Sequence, residues 1–419
     1  MSAGASSFST RESADRTVKL LVLQPTPFCN IDCDYCYLAN RLSTKKMLPA
    51  QAVEIVDRLV SAGVVGPDLS MVWHAGEPLV LPPSYYQEIF AALAARRYPF
   101  TIRHSFQTNG MLINDEWCDF FQKWSVNVGV SVDGPASIHD AHRKDRTGKG
   151  THAKVMEGIH TLQRHSVPFH AIAVVTAESL LHPEAVIDFF LETGIDRVGF
   201  NIEELEGANK SSSVAGDKVS NVRRFFEVMA EGEERSQGKL TIREFENARG
   251  AIKGSHVQDC PSPDLRNEQT LPYAILTVAW DGAMTAFSPE LIDASSKDYG
   301  DFILGNILRD PIADIFSSPK FKIISNAIEE GCKRCAETCQ YFSVCGGGAP
   351  SNKYFENGSF ESTETVYCRS VIQIPIDIML AQAEMQLGIS SPQEASPEEP
   401  TLKGKNNKDK DNDLPVQAA

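Results

Sequence analysis

The chain has 419 residues, 42% of them hydrophobic, a formal net charge of -15 and ten cysteines. An acidic excess of this size excludes a surface that clamps phosphates with clustered Lys and Arg, so no nucleic-acid partner is expected. No uninterrupted apolar stretch long enough to span a bilayer is present and Met1–Arg16 lacks an apolar signal core, so a cytoplasmic protein with no membrane partner is expected.

In chain order, a polar Ser-rich segment at 1–16, expected to be flexible, gives way at Val18 to short β-branched runs alternating with stretches of helical period. That alternation predicts βα units on a parallel sheet. The predicted strands are Lys19–Gln24, Met71–His74, His104–Asn109, Asn127–Val132, His170–Thr176 and Arg197–Ile202; the predicted helices are Ala50–Ala62, Ser84–Ala95, Asp115–Trp124, Ala153–Gln163 and Pro183–Glu192. Six such units make a partial (β/α)6 barrel over 17–240, with chemical groups at the carboxyl ends of its strands.

A helix at Val219–Glu233 and a bridging segment at 241–273 follow. Ala274–Phe287 then reads as a hairpin about Asp281–Gly282, opening a small Cys-rich domain over 274–388. The tail at 389–419 is polar and of low complexity, and its composition predicts disorder.

Ten thiols in a long cytosolic chain point to metal rather than to disulfides. Cys29, Cys33 and Cys36 have C-x3-C-x2-C spacing directly after the first strand, and three thiolates can bind three corners of a [4Fe–4S] cubane while leaving its fourth iron open. Structural zinc fits less well, since no fourth Cys or His lies near this loop in sequence. An open iron can be chelated by the amino and carboxylate groups of S-adenosyl-L-methionine (SAM).

This loop, with Tyr35 before its third cysteine, resembles the signature of the radical SAM superfamily. The resemblance implies that Tyr35 lies against the adenine, and that in Trp73-His74-Ala75-Gly76-Glu77-Pro78, similar to a GGEP motif with Ala75 replacing the first Gly, Glu77 and the backbone of Ala75 and Gly76 hold the SAM ammonium. It likewise implies ribose- and carboxylate-binding roles for Gln107, Asn109, Ser131 and Asp133, and pairing of Arg143 with the SAM carboxylate. A guanidinium suits a planar carboxylate bidentately, and Arg146 is the competitor. His74 reads as a hydrogen-bonded structural histidine rather than a ligand.

Cys335, Cys339, Cys345 before a glycine run, and Cys368 resemble the SPASM extension of peptide-modifying members, implying at least one auxiliary [4Fe–4S] cluster. Four thiols also suit zinc. Phe287 and Ala349 stand where a full two-cluster SPASM domain has cysteines, so one auxiliary cluster is expected, with Cys118, Cys260 and Cys332 as plain thiols.

Segments such as LQPTPFCNIDCDYCYL, WHAGEPLVLP and CGGGAPSNKYFENGSFESTETVYCR look like the cyclophane-forming GrrM/OscB-type maturases, which act on glycine-rich-repeat precursor peptides. That likeness implies abstraction of a β-hydrogen, an aryl-carbon to β-carbon bond closing a three-residue cyclophane, and a reductant such as flavodoxin or ferredoxin. Restoring the ring needs a base, for which Glu203, Glu204, Glu206, Asp281 and Glu290 are candidates. The alternatives are other SPASM peptide chemistry, namely formylglycine or thioether formation, and a non-catalytic zinc-binding peptide scaffold.

Overall fold

The structure is a computed structural model that describes residues 17–216, 219–255 and 267–389. Cys260, the N-terminal segment and residues 390–419 of the tail lie outside the described residues.

Six parallel strands form the expected barrel: β1 (Val18–Leu23), β2 (Val65–Trp73), β3 (Thr101–Thr108), β4 (Asn127–Ser131), β5 (Phe169–Val175) and β6 (Arg197–Ile202). Helices α1 (Pro49–Ser61), α2 (Pro83–Arg96), α3 (Asp115–Trp124), α4 (His152–Arg164) and α5 (Pro183–Thr193) return the chain between them. Apolar runs such as VKLLVL form strands here because helices cover the sheet and no alternation with polar residues is needed. Helix α3 shows the local logic of a helix start: the Asn114 side chain accepts from Trp117 N at 3.0 Å, and Asp115 and Glu116 face the positive end of the dipole.

Two features differ from expectation. Strand β2 begins at Val65, not Met71, although Gly66-Pro67-Asp68 reads as a turn. Its register against β1 shifts between Val18 and Leu20, and Pro67, which has no N–H to donate, sits in that irregularity.

The hairpin also joins the barrel sheet directly. After α6 (Val219–Arg235), β7 (Thr241–Ile242) and α7 (Arg243–Ser255), strand β8 (Ile275–Val278) pairs parallel to β1, then β9 (Ala283–Ala286) and β10 (Gly305–Asn306) continue antiparallel. The result is one ten-stranded open sheet, ordered β10-β9-β8-β1-β2-β3-β4-β5-β6-β7. Helices α8 (Pro319–Thr338), α9 (Pro350–Asn357) and α10 (Ile374–Gln386) carry or flank the second cysteine group.

The core under β2 and β3 is aromatic. Trp73, Tyr86 and Phe106 are each at most 1% exposed, and Tyr86 meets Trp73 and Phe106 edge-on at 5.1 and 4.7 Å. Each such ring contributes roughly 1.5–3 kcal/mol through burial. This packing fixes the strand ends from which the polar motifs project.

Candidate active site

The first three cysteines lie on the loop that leaves β1 and crosses the carboxyl ends of the strands. Arginines brace its backbone: Arg41 Nη1 donates to Cys33 O at 2.8 Å, while Arg146 Nη2 donates to Cys29 O and to Arg41 O, both at 2.9 Å. Arg146 is thereby engaged with the loop rather than free for a carboxylate. Burial pushes the Cys29 and Cys33 thiols up to about 12, so their thiolates need a compensating positive centre such as cluster iron.

Beside this loop, β2 ends in strained backbone. Ala75 has φ +66° and Gly76 φ +129°, and a Cβ on Gly76 would meet Thr26 O at 2.2 Å. The Glu77 carboxylate turns inward, where it accepts from Leu79 N (2.9 Å), Thr108 Oγ1 (2.7 Å) and Asn109 N (2.7 Å). Burial pushes Glu77 up to about 7 against those three donors. Its side chain therefore ties β2 to β3, and the nearby backbone is left to face a ligand.

The next two strand ends supply a polar ring. Gln107 Nε2 donates to Ser131 Oγ at 3.0 Å, and Asn109 Nδ2 donates to Asn30 Oδ1 at 2.7 Å while lying 3.9 Å from Cys29 Sγ. Tyr35 is half-buried, its hydroxyl donating to Asp133 and its ring 5.3 Å from the Arg143 guanidinium.

Asp133 and Arg143, both expected at the ligand, also meet each other. Arg143 presents its fork to Asp133, with Nε at 2.8 Å from Oδ2 and Nη2 at 3.0 Å from Oδ1, and Val174 N also donates to Asp133 at 2.9 Å. Burial alone would raise the Asp133 pKa, but the Arg143 charge outweighs it and holds the carboxyl below its ordinary range. Two nitrogens of the Arg143 fork, Nε and Nη2, thus engage Asp133. Its Nη1 arm reaches toward Cys33 Sγ at 3.9 Å.

His74 is a hydrogen-bonded histidine, as read from the sequence: Nε2 lies 3.2 Å from the Tyr37 hydroxyl, and burial lowers the ring to about 4. Tyr37 also accepts at its carbonyl from Ala208 N (2.7 Å), which joins the cysteine loop to the segment after β6.

That segment contributes to a second feature, a cavity of about 380 Å³ whose lining includes Glu204, Glu206, Glu290, Asn352, Tyr367 and Cys345. Asn352 Nδ2 donates to Glu204 Oε2 at 2.7 Å and lies 3.4 Å from Glu206 Oε1. Burial first raises the pKa of all three carboxylates; the charges of Glu290 and Glu356 add to it at Glu204, and those of Glu204 and Glu290 add to it at Glu206. The other two carboxylates are elsewhere. Glu203 accepts from Ser213 N at 2.8 Å, and Asp281 is an exposed turn residue that accepts from Ala283 N at 3.1 Å.

Cys335, Cys339, Cys345 and Cys368 line a neighbouring cavity of about 450 Å³ with Gly347 and Gly348. Convergence of four thiols on a cavity of this size fits a cubane. Phe287, 1% exposed, stacks on Phe321 at 6.2 Å, and Ala349 is 4% exposed. Side-chain packing thus fills both positions where a second auxiliary cluster would have had cysteines. Cys118 is wholly buried in α3, and Cys332 packs against Gly347. One residue escaped sequence reading: Lys353, 2% exposed, with Nζ 3.2 Å from Cys335 Sγ. A lysine in a helix gives no sign of being turned inward.

Comparison with known proteins agrees with this geometry. The Radical SAM superfamily matches residues 23–190, and SPASM, an iron–sulfur cluster-binding domain, matches residues 270–340. An uncharacterized protein of Synechocystis sp. is 40% identical over 378 residues, spanning 88% of this chain and 93% of its own. A serine-type anaerobic sulfatase-maturating enzyme of Bacteroides thetaiotaomicron is 24% identical, over 82% of this chain and 85% of its own. Among solved structures, native anSMEcpe with bound AdoMet aligns with TM-score 0.68 at 22% identity, covering 89% of this chain and 100% of that one. Streptococcus suis SuiB bound to precursor peptide SuiA aligns at TM-score 0.58 and 17% identity, covering 84% and 76%. These likenesses share the fold of a radical SAM barrel followed by a SPASM domain. The chain belongs to the radical SAM superfamily and carries a SPASM domain, which implies SAM, a [4Fe–4S] cluster and auxiliary iron–sulfur chemistry.

Proposed function

We propose that this enzyme acts on a ribosomally made precursor peptide, taking hydrogen from a β-carbon and joining that carbon to a nearby aromatic ring as a three-residue cyclophane. Cys29, Cys33 and Cys36 hold the SAM-binding cluster, and Cys335, Cys339, Cys345 and Cys368 hold the auxiliary one. The bound SAM and its cluster supply a primary carbon radical, which is reactive enough to take hydrogen from an unactivated carbon.

The protein's share is placement and proton handling. Tyr35, the Ala75–Gly76 backbone, Gln107, Asn109 and Ser131 border the SAM position, while Glu77 and the Asp133–Arg143 pair hold the strand ends and the loop around it. After ring addition, aromaticity returns on loss of one electron and one proton. The observation that carries the reading is the shared wall of the two cavities: Cys345 lines both the acidic cavity and the four-thiol cavity. A base drawn from Glu204, Glu206 and Glu290 therefore stands beside the electron acceptor. A flavodoxin or ferredoxin is the proposed reductant.

Formylglycine formation is the second reading, favoured by the sulfatase-maturating relatives. It also removes an electron and a proton from a carbon radical, so product chemistry must separate the two. Co-expression with a small aromatic-containing precursor should give a product two hydrogens lighter, with no backbone fragments inside a three-residue block and no reaction with hydroxylamine. An aldehyde trapped by hydroxylamine would establish formylglycine instead.

A further inference from the structure

Lysine is almost never fully buried unless it is paired, because its ammonium is compact and strongly hydrated. Lys353 on α9 is nevertheless 2% exposed. The acceptors that hold its Nζ are Gly331 O at 3.1 Å and Cys335 Sγ at 3.2 Å, both on α8. Its stem passes the glycine run: a Cβ placed on Gly348 would lie 3.8 Å from Lys353 Cε and 3.4 Å from Cys368 Sγ. The ammonium is thus inserted beside two cysteines of the second group, with protein rather than water around it.

A cluster gains one negative charge when it is reduced, and hydrogen bonds to its sulfurs together with nearby charge set its potential. A buried cation donating to a ligand sulfur stabilises the reduced form more than the oxidised one. Low local dielectric enlarges that difference.

We infer that Lys353 is a positioning residue that raises the reduction potential of the auxiliary cluster, so that it accepts the electron lost when the peptide radical is oxidised. A cluster held by these cysteines would supply the electron acceptor, and a carboxylate of the acidic cavity would take the proton. This rests on the reading that Cys335, Cys339, Cys345 and Cys368 ligate that cluster.

The test is an EPR-monitored redox titration of the anaerobically reconstituted full chain, with iron and sulfide counted in each sample. The SAM-binding cluster is recognised by its spectral response to SAM, and the other signal is the auxiliary one. In Lys353→Met, which keeps length and apolar bulk, the auxiliary midpoint should move negative while the SAM-binding cluster's stays in place. Lys353→Gln, which keeps a donor without the charge, should move it less.

A Lys353→Met protein with full iron content and an unmoved auxiliary midpoint overturns the inference. So does loss of auxiliary iron in both variants, which would make the lysine a structural pin. Cys335→Ser tests the ligand reading separately: an unchanged auxiliary signal there would remove Cys335 from the ligand set whatever Lys353 does.

Discussion

Ala75 occupies φ +66°, a region that costs an L-residue with a Cβ roughly 1–2 kcal/mol. Ala75→Gly removes that strain while adding unfolded-state freedom worth about 0.4–1 kcal/mol, so a net gain of about 0.5 kcal/mol is expected. Thermal unfolding should show a small rise in midpoint. The next residue behaves oppositely. Gly76→Ala places a Cβ 2.2 Å from Thr26 O, on the backbone that leads into Cys29. Backbone cannot yield as a flexible side chain would, so the cysteine loop must shift. Reductive SAM cleavage should fall at least tenfold in Gly76→Ala, and unchanged cleavage would show that the loop tolerates the displacement.

At the scale of elements, the strands were legible because apolar β-branched runs and covering helices agree, and Arg197–Ile202 and Asp115–Trp124 form with their expected limits. The early start of β2 was not legible, since Pro67 contradicts a strand unless a register shift excuses it. The pairing of β8 with β1 was also hidden, because partners more than 250 residues apart leave no local pattern. The grouping of Cys335, Cys339, Cys345 and Cys368 around one cavity follows their clustering in sequence and the SPASM resemblance; the convergence of Glu204, Glu290 and Asn352 needs three separate segments to meet.

The glycine run after Cys345 shows what spacing does not reveal. Gly346, Gly347 and Gly348 have φ of +68°, +114° and +73°, and a Cβ on Gly347 would lie 2.7 Å from Cys332 Sγ. Gly347→Ala strains this turn and moves Cys345 relative to Cys335 and Cys368. The variant should lose auxiliary-cluster iron yet still cleave SAM on reduction, because the added Cβ meets Cys332 on α8 and not the loop that carries Cys29, Cys33 and Cys36. Iron content together with 5′-deoxyadenosine yield checks both halves of that expectation.

At the scale of the molecule, the acidic cavity joins the barrel to the Cys-rich part, with Glu204 from the segment after β6 bonded to Asn352 on α9. Burial, then the charges nearby, push Glu204 from its ordinary 4.5 up to about 7. A raised carboxylate pKa means that the folded protein binds more protons than the unfolded chain between those values. Its stabilising contribution is therefore complete below pH 4.5 and is lost as pH rises through about 7, on the order of 3 kcal/mol for one such group. Buried histidines act in the other direction: burial lowers His74 and His139 to about 4, so their contribution is lost as pH falls below their ordinary 6.5. The two trends oppose each other in the whole protein, and only a comparison of variants separates them. Urea unfolding at pH 5 and pH 8 should show Glu204→Gln gaining stability relative to the parent at pH 8 and little at pH 5, with the histidine contribution cancelling in the difference. The same proton is the one that must leave before Glu204 can act as a base, so turnover by the parent should rise across the window in which its stability falls. If Glu204→Gln and Glu206→Gln both leave the pH dependence of stability and of turnover where the parent has them, the acidic cavity holds no proton that matters to either.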